Sequence, residues 1–208
     1  MTAAVKRVMR AHRGKIAVAV VAASIVVAAV AVARSGHQSG EKPAAIHPAR
    51  LAWVHPGALP AGWSARRLPG SSARLPAPSG WRPDRSDPGT RTMVLEGPSG
   101  EIAGYLNATP QQGEETLSHW SSFRVEHNEE ENELDVTLEA AASGLRFRTG
   151  RGSCVIDSYR TTSGHRYREV ACIVAGRSAT TVIVGAAPPS RWGAEAPTIE
   201  RAINSFTT

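Results

Sequence analysis

The sequence predicts an α+β domain, an antiparallel β-sheet with packed helices, preceded by one N-terminal transmembrane helix. Three observations predict it. Residues 152–176 form a hairpin pattern that carries the only two cysteines; residues 16–33 are apolar; and the chain between 90 and 208 runs hairpin, helix, several alternating strands, helix. A sheet with one helix-covered face is the stable outcome of that order.

The front end comes first. Residues 16–33 are Ile, Val and Ala interrupted only by Ser24, and Lys6, Arg7, Arg10, Arg13 and Lys15 precede them with no acid between. At 1.5 Å per residue this run makes about 27 Å of helix, enough to cross a bilayer, and the basic flank marks the cytoplasmic side. Residues 1–15 then form a cytoplasmic basic tail, 16–33 anchor the chain in the cell membrane, and the C-terminal part is extracytoplasmic. Ala31-Val32-Ala33 also fits a signal-peptide cleavage pattern, so secretion after cleavage near Ala33 is the alternative. No cysteine directly follows the apolar run and no Arg-Arg pair precedes it, which excludes a lipoprotein and argues against twin-arginine export.

The formal charge of +6 belongs to this front end. Residues 1–34 hold six basic and no acidic side chains, and the remainder holds eighteen of each. The charge-based case for nucleic acid therefore fails. Outside the anchor the signs are uneven: eight basic against three acidic in 35–91, one against eleven in 92–145, nine against four in 146–208. An acidic middle can pair with basic flanks or face a partner.

Residues 34–60 are rich in Gly and Pro without a sustained period and read as a linker, with Leu51, Trp53 and Val54 packing a short segment onto the domain at 61–208. His47 and His55 beside prolines are solvated linker residues rather than metal ligands. Gly62-Trp63 and Gly80-Trp81 open two similar stretches separated by a Pro-, Ser- and Arg-rich loop, and their tryptophans either anchor loops to the core or offer a ligand-binding platform. Residues 90–96 and 101–109 make a hairpin around Gly97-Pro98-Ser99-Gly100. Asn107-Ala108-Thr109 is formally a glycosylation triplet.

A helix is expected to open at Pro110 and Gly113, with Glu114 and Glu115 in its first turn and Leu117, Trp120, Phe123 and Val125 as its apolar stripe. The run 128–133, with four carboxylates, opposes the helix dipole at a C-terminus, so the helix should end near His127 and leave an exposed acidic turn. That turn lacks the glycine and spacing of a calcium loop. His119 and His127, eight apart on a helix, are about 12 Å apart in rise, too far for one metal. No metal and no cofactor are expected.

Leu134, Val136, Leu138 and Ala140 alternate with polar residues as a half-buried strand, resumed at Leu145 and Phe147 beyond a bulge. The turn 161–165 centres the next hairpin on Ser163, because Gly164 supplies the positive φ of a three-residue loop; the alternative, a two-residue loop at Ser163-Gly164, would put the cysteines on opposite faces. Residues whose numbers sum to 326 then face each other, and Cys154 with Cys172 is such a pair. Outside the cytoplasm two such thiols form a disulfide. The same register sets Val155 against Ala171, Ile156 against Val170, Tyr159 against Tyr167 and, unfavourably, Asp157 against Glu169. A central strand follows at 179–187, and a closing helix starts near Pro197 with Ile199, Ala202, Ile203 and Phe206 on one face. Trp192 leads into it.

The stretches GYLNATPQQG, NELDVTLEAAASGLRF, GSCVIDSYRT, EVACIVAG and ERAINSF resemble uncharacterised membrane-anchored or secreted proteins of actinobacteria. Three Lys against twenty-one Arg suits such a source. The strand order and terminal helix are similar to the Mog1/PsbP-like fold, a likeness that implies an α/β sandwich and transfers no functional residue.

No nucleophile elbow, zinc-protease helix, phosphate loop or dinucleotide fingerprint is present. The expected function is therefore a non-catalytic binding or interaction domain in the cell envelope, its partner an envelope protein or cell-wall component. The alternative is an extracytoplasmic hydrolase using Asp157 and Glu169 as acid and base. An arginine clamp on that pair favours the binder, and an open groove favours the enzyme.

Overall fold

The computed structural model describes residues 47–208, so the basic tail, the span at 16–33 and the front of the linker lie outside the described residues. Among the described residues no helix is long and apolar enough to cross a membrane. A 3-10 turn, Pro48–Leu51, is followed by nine strands: β1 Ser64–Arg67, β2 Arg74–Ala77, β3 Arg82–Asp84, β4 Arg91–Glu96, β5 Ile102–Pro110, β6 Leu134–Arg146, β7 Gly150–Arg160, β8 Arg166–Gly176 and β9 Thr180–Ala187. Two α-helices, α1 Trp120–Glu130 and α2 Pro189–Ser205, complete the described residues. The strands β1 and β2 pair with each other, and the other seven form one antiparallel sheet in the order β3-β4-β5-β9-β8-β7-β6. The strand predicted to be central, β9, is its middle member.

The hairpin of β7 and β8 has the predicted register. Cys154 faces Cys172, Asp157 faces Glu169, and Tyr159 faces Tyr167. The loop is set by the Thr161 N–H donating to the His165 carbonyl at 2.8 Å and by Gly164 at φ +87°. Because side chains alternate along a strand, this register sends Cys154, Ile156, Val170 and Cys172 to one face and Val155, Ala171, Asp157 and Glu169 to the other. The cysteines are joined, with 4.1 Å between their Cα atoms. Such a bridge indicates an extracytoplasmic, oxidising setting for the domain.

On the cysteine face α2 lays Ile199, Ala202 and Ile203, and the following Phe206, against Leu106, Ile183 and the disulfide, all buried. Each large apolar side chain buried there contributes roughly 1.5–3 kcal/mol. Gly185 makes the approach possible, since a Cβ there would lie 2.4 Å from Ile199 Cγ2. Leu51 and Val54 join the same core, and the Gly57 N–H donates to the Asn204 carbonyl at 2.8 Å, so residues 47–57 pack on the domain. On the opposite face Trp120 of α1 packs on Val155, Ala171 and Ile173, and its indole N–H donates to the Ala171 carbonyl at 2.9 Å.

Three sequence expectations are corrected. The first concerns α1, which begins at Trp120 instead of Pro110 or Gly113, because residues 111–116 form a loop closed by Glu115, whose buried carboxylate accepts the N–H groups of Gln112 and Gly113. The helix also continues past His127 to Glu130. Asn132 at φ 62° ends it, with the Asn132 N–H on the Glu129 carbonyl and the Glu133 N–H on the Asn128 carbonyl, each 2.9 Å. This left-handed cap satisfies terminal carbonyls and outweighs the unfavourable Glu129 and Glu130 charges. The second concerns α2, which starts at Pro189 and holds Pro197 inside; Pro188-Pro189 ends β9 and at once supplies the opening geometry of the helix. Third, the arginine- and proline-rich 61–89 contains β1, β2 and β3, which show no apolar alternation and owe their form to pairing partners. The strand β6 is one element with register shifts where a bulge was expected.

Candidate functional site

The half of the sheet under α1 carries charge where a core would be apolar. Trp120, Arg124 and Asn128 recur at i, i+4 and i+8, so one helical stripe points at the sheet, and all three are buried. Opposite them stand Glu169 on β8, with Asp157 and Tyr159 beside it on β7. Arg124 Nη2 forms an ion pair and hydrogen bond with Glu169 Oε1, and donates to Asn128 Oδ1 at 3.0 Å. Tyr159 donates its hydroxyl to Glu169 Oε2 at 3.3 Å. Glu169 is thus held by a guanidinium from one side and a phenol from the other.

Burial opposes the Arg124 charge more than any other single influence, yet Glu169, then Asp157, hold its pKa above the ordinary arginine value. Burial, then the charges of Glu169 and Asp157, push the Tyr159 phenol well up, so it remains a donor. Asp157 is 0% exposed, and neither carboxyl oxygen has a hydrogen-bond partner. Burial first, then the neighbouring Glu169 charge, raise its pKa well above the usual carboxylate range. Two acids in register therefore become chemically distinct: Glu169 is the paired partner, Asp157 the proton-holding one.

This distinction has a measurable consequence. An acid whose folded pKa is raised holds a proton that the unfolded chain has lost between about pH 4 and the folded value, so stability falls as pH rises through that window. Asp157→Asn removes the penalty. The variant is expected to match the wild type near pH 4 and to become progressively more stable than it as pH rises, by about 1.4 kcal/mol per unit of elevation. Urea denaturation at pH 4, 6 and 8 checks this; a stability difference independent of pH would refute the protonated assignment.

Beside the clamp lies a small pocket of about 40 Å³, lined among others by Asn107, Arg124, His127, Asn128, Tyr159 and Glu169. Arg124 Nε and Asn128 Nδ2 are buried there without an acceptor. His127, which stacks on Phe123 at 5.5 Å between ring centroids, stands on its wall. Among the described residues no group of three or more His, Cys, Asp or Glu is placed to hold a metal ion.

The other residues singled out in the sequence lie elsewhere. Trp81 is buried under Gly104, where a Cβ would lie 2.7 Å from its ring, and Trp63 is half-buried with Arg201 over its ring at 6.0 Å. Neither lines the pocket that Glu169 lines. His47, His55, His119 and His165 are exposed. Asn107 of the glycosylation triplet is 4% exposed inside β5 and donates to Thr92 Oγ1 at 3.0 Å, so the folded domain does not present it. Sequence reasoning missed Arg124, Asn128 and Tyr159 as partners. The signal was there in Arg124, the single basic residue among eleven acids between 92 and 145.

No family model matches the chain, and no curated protein matches it in sequence. Among solved structures it is similar to cyanobacterial PsbP (CyanoP) from Synechocystis, at 12% identity and a TM-score of 0.51, over 72% of this chain and 94% of that one. It is also similar to PA94 of Pseudomonas aeruginosa, a protein of unknown function, at 13% identity and a TM-score of 0.47, over 70% and 96% of the two chains. LpqN, involved in cell envelope biogenesis of Mycobacterium tuberculosis, matches at 14% identity and a TM-score of 0.38, over 70% and 91%. The CyanoP likeness shows a PsbP-like fold and nothing of the chemistry.

Proposed function

We propose that this is a membrane-anchored protein of the cell envelope whose outer domain binds an envelope protein or a wall component and performs no catalysis. The observation that carries the reading is the Arg124 clamp on Glu169. A general acid or base needs to come within hydrogen-bond reach of its substrate, and here one carboxylate is already satisfied while the other has no exposed surface. The disulfide supports an oxidising compartment, and residues 16–33 supply the membrane attachment.

One observation favours a hydrolase built on Asp157 and Glu169: Glu169 lines the pocket. Crosslinking in intact cells with the anchored chain as bait separates the two readings. The expected result is one envelope protein or wall fragment recovered equally with wild type and with Glu169→Gln in a background where the fold is intact. A hydrolytic activity that Glu169→Gln abolishes would overturn the binding reading. Acid-quenched thiol labelling tests the compartment. Cys154 and Cys172 are expected to react only after reduction, and labelling without reduction would place the domain in the cytosol.

A further inference from the structure

One end of the sheet is built of arginines. Arg146 and Arg151 face each other across the β6–β7 turn, with Arg148 in the turn between them. The Thr208 N–H donates to Thr149 Oγ1 at 2.8 Å, and the Arg74 N–H to the neighbouring Thr207 carbonyl at 2.8 Å, which ties that turn to the β1–β2 hairpin. Arg67 lies opposite Arg74 in that hairpin. The β8–β9 turn adds Arg177, since Gly150 faces Gly176 and Ser178 meets Ser72 at 3.2 Å. All of these arginines are exposed, and none is in an ion pair among the described residues. Elsewhere in the domain Arg50, Arg82, Arg160, Arg166 and Arg168 each have a carboxylate partner. The loop tied by the Gln111 N–H to the Thr180 carbonyl carries the exposed Glu114 and the buried Glu115.

We infer that this arginine end is a docking surface for the anionic lipid headgroups of the membrane to which the chain is tethered. The inference rests on residues 16–33 being the anchor. Arginine forks match phosphate oxygens, and basic side chains held within a Debye length of an anionic leaflet are attracted to it. The tether selects this partner over a soluble polyanion. Residues 34–46 span at most about 45 Å, which confines the domain to the membrane surface. The chain enters the domain where the His47 N–H meets the Glu139 carbonyl, about 23 Å along β6 from Arg146, so the arginine end can reach the leaflet.

The test uses the full chain in nanodiscs of phosphatidylcholine alone or with 30% phosphatidylglycerol, read by hydrogen exchange at residues 146–151 and 176–179. Protection is expected only in the anionic discs and should vanish in 0.5 M salt. Each arginine neutralised should weaken docking about five-fold. The R146Q/R148Q/R151Q variant and, independently, R67Q/R74Q should therefore both lose protection; the second serves if the first fails to fold, and the salt arm needs no variant. Equal exchange in both lipids would overturn the proposal. Protection by added polyphosphate but not by anionic discs would overturn it in favour of a soluble polyanion. Loss of the chain from the discs would instead remove the anchor on which the proposal stands.

Discussion

Arg124→Met is expected to destabilise the outer domain by about 3–5 kcal/mol, because it leaves Glu169 as a buried charge without its partner. That exceeds most single substitutions and is a large share of a domain's stability. The cause is the asymmetry of buried ion pairs. Desolvation of the two charges nearly cancels their attraction, so the pair contributes little net, whereas removing one member exposes the full cost of the other. The double variant Arg124→Met with Glu169→Leu should therefore recover most of the loss, although Tyr159 then lacks its acceptor. Urea denaturation of the full chain in detergent, followed by tryptophan fluorescence, measures both. The interpretation fails if Arg124→Met costs less than about 1 kcal/mol, or if the double variant is as unstable as the single.

Loss of the disulfide is the second large effect. Cys154 and Cys172 are separated by 18 residues in sequence, and closing a loop of that length lowers the entropy of the unfolded chain by an amount worth about 3 kcal/mol in the chain-entropy account. Both sulfurs lie in the core between β7 and β8, so the Cys154→Ala/Cys172→Ala pair adds a small packing loss to that figure. Reducing agent should lower the unfolding midpoint of the wild type by nearly the same amount and leave the double alanine variant unmoved. A wild-type midpoint indifferent to reduction would show that the bond contributes nothing to the fold.

The two effects concern opposite faces of one hairpin. Alternation sends the bridge toward α2 and the Asp157–Glu169 pair toward α1, so one stretch of chain supplies both the covalent tie and the charged centre of the pocket. The tie restrains the register, and the register keeps the two carboxyl groups side by side. Changing the hairpin loop by one residue would flip one strand against the other, putting the two carboxylates on opposite faces and separating the thiols.

How much was legible varied with the range of the interaction. The β7–β8 register could be read because a three-residue loop with glycine sets it within a few residues of chain. The apolar stripe Ile199, Ala202, Ile203 and Phe206 was plain for the same reason. The start of α2 was not, because Pro188-Pro189 reads equally as the end of a strand and the opening of a helix. The extent of α1 was misread because its terminal cap depends on Asn132 adopting a left-handed conformation, and because Glu115 closes the preceding loop. The strands β1 and β2 carry no alternation of their own.

The sequence by itself determined the apolar front end, the cysteine-bearing hairpin, the opposition of Asp157 to Glu169 and the α+β class, all properties of neighbours along the chain or of one turn. Only the tertiary structure decided which arginine meets Glu169, that Asp157 is left without a hydrogen bond, and that arginines from three separate turns gather at one end. Arg124 lies 45 residues from Glu169, and Arg160, Arg166 and Arg168 were nearer in sequence. A buried charge takes whichever partner the packing of a helix on a sheet brings to it, and spacing along the chain carries no record of that distance.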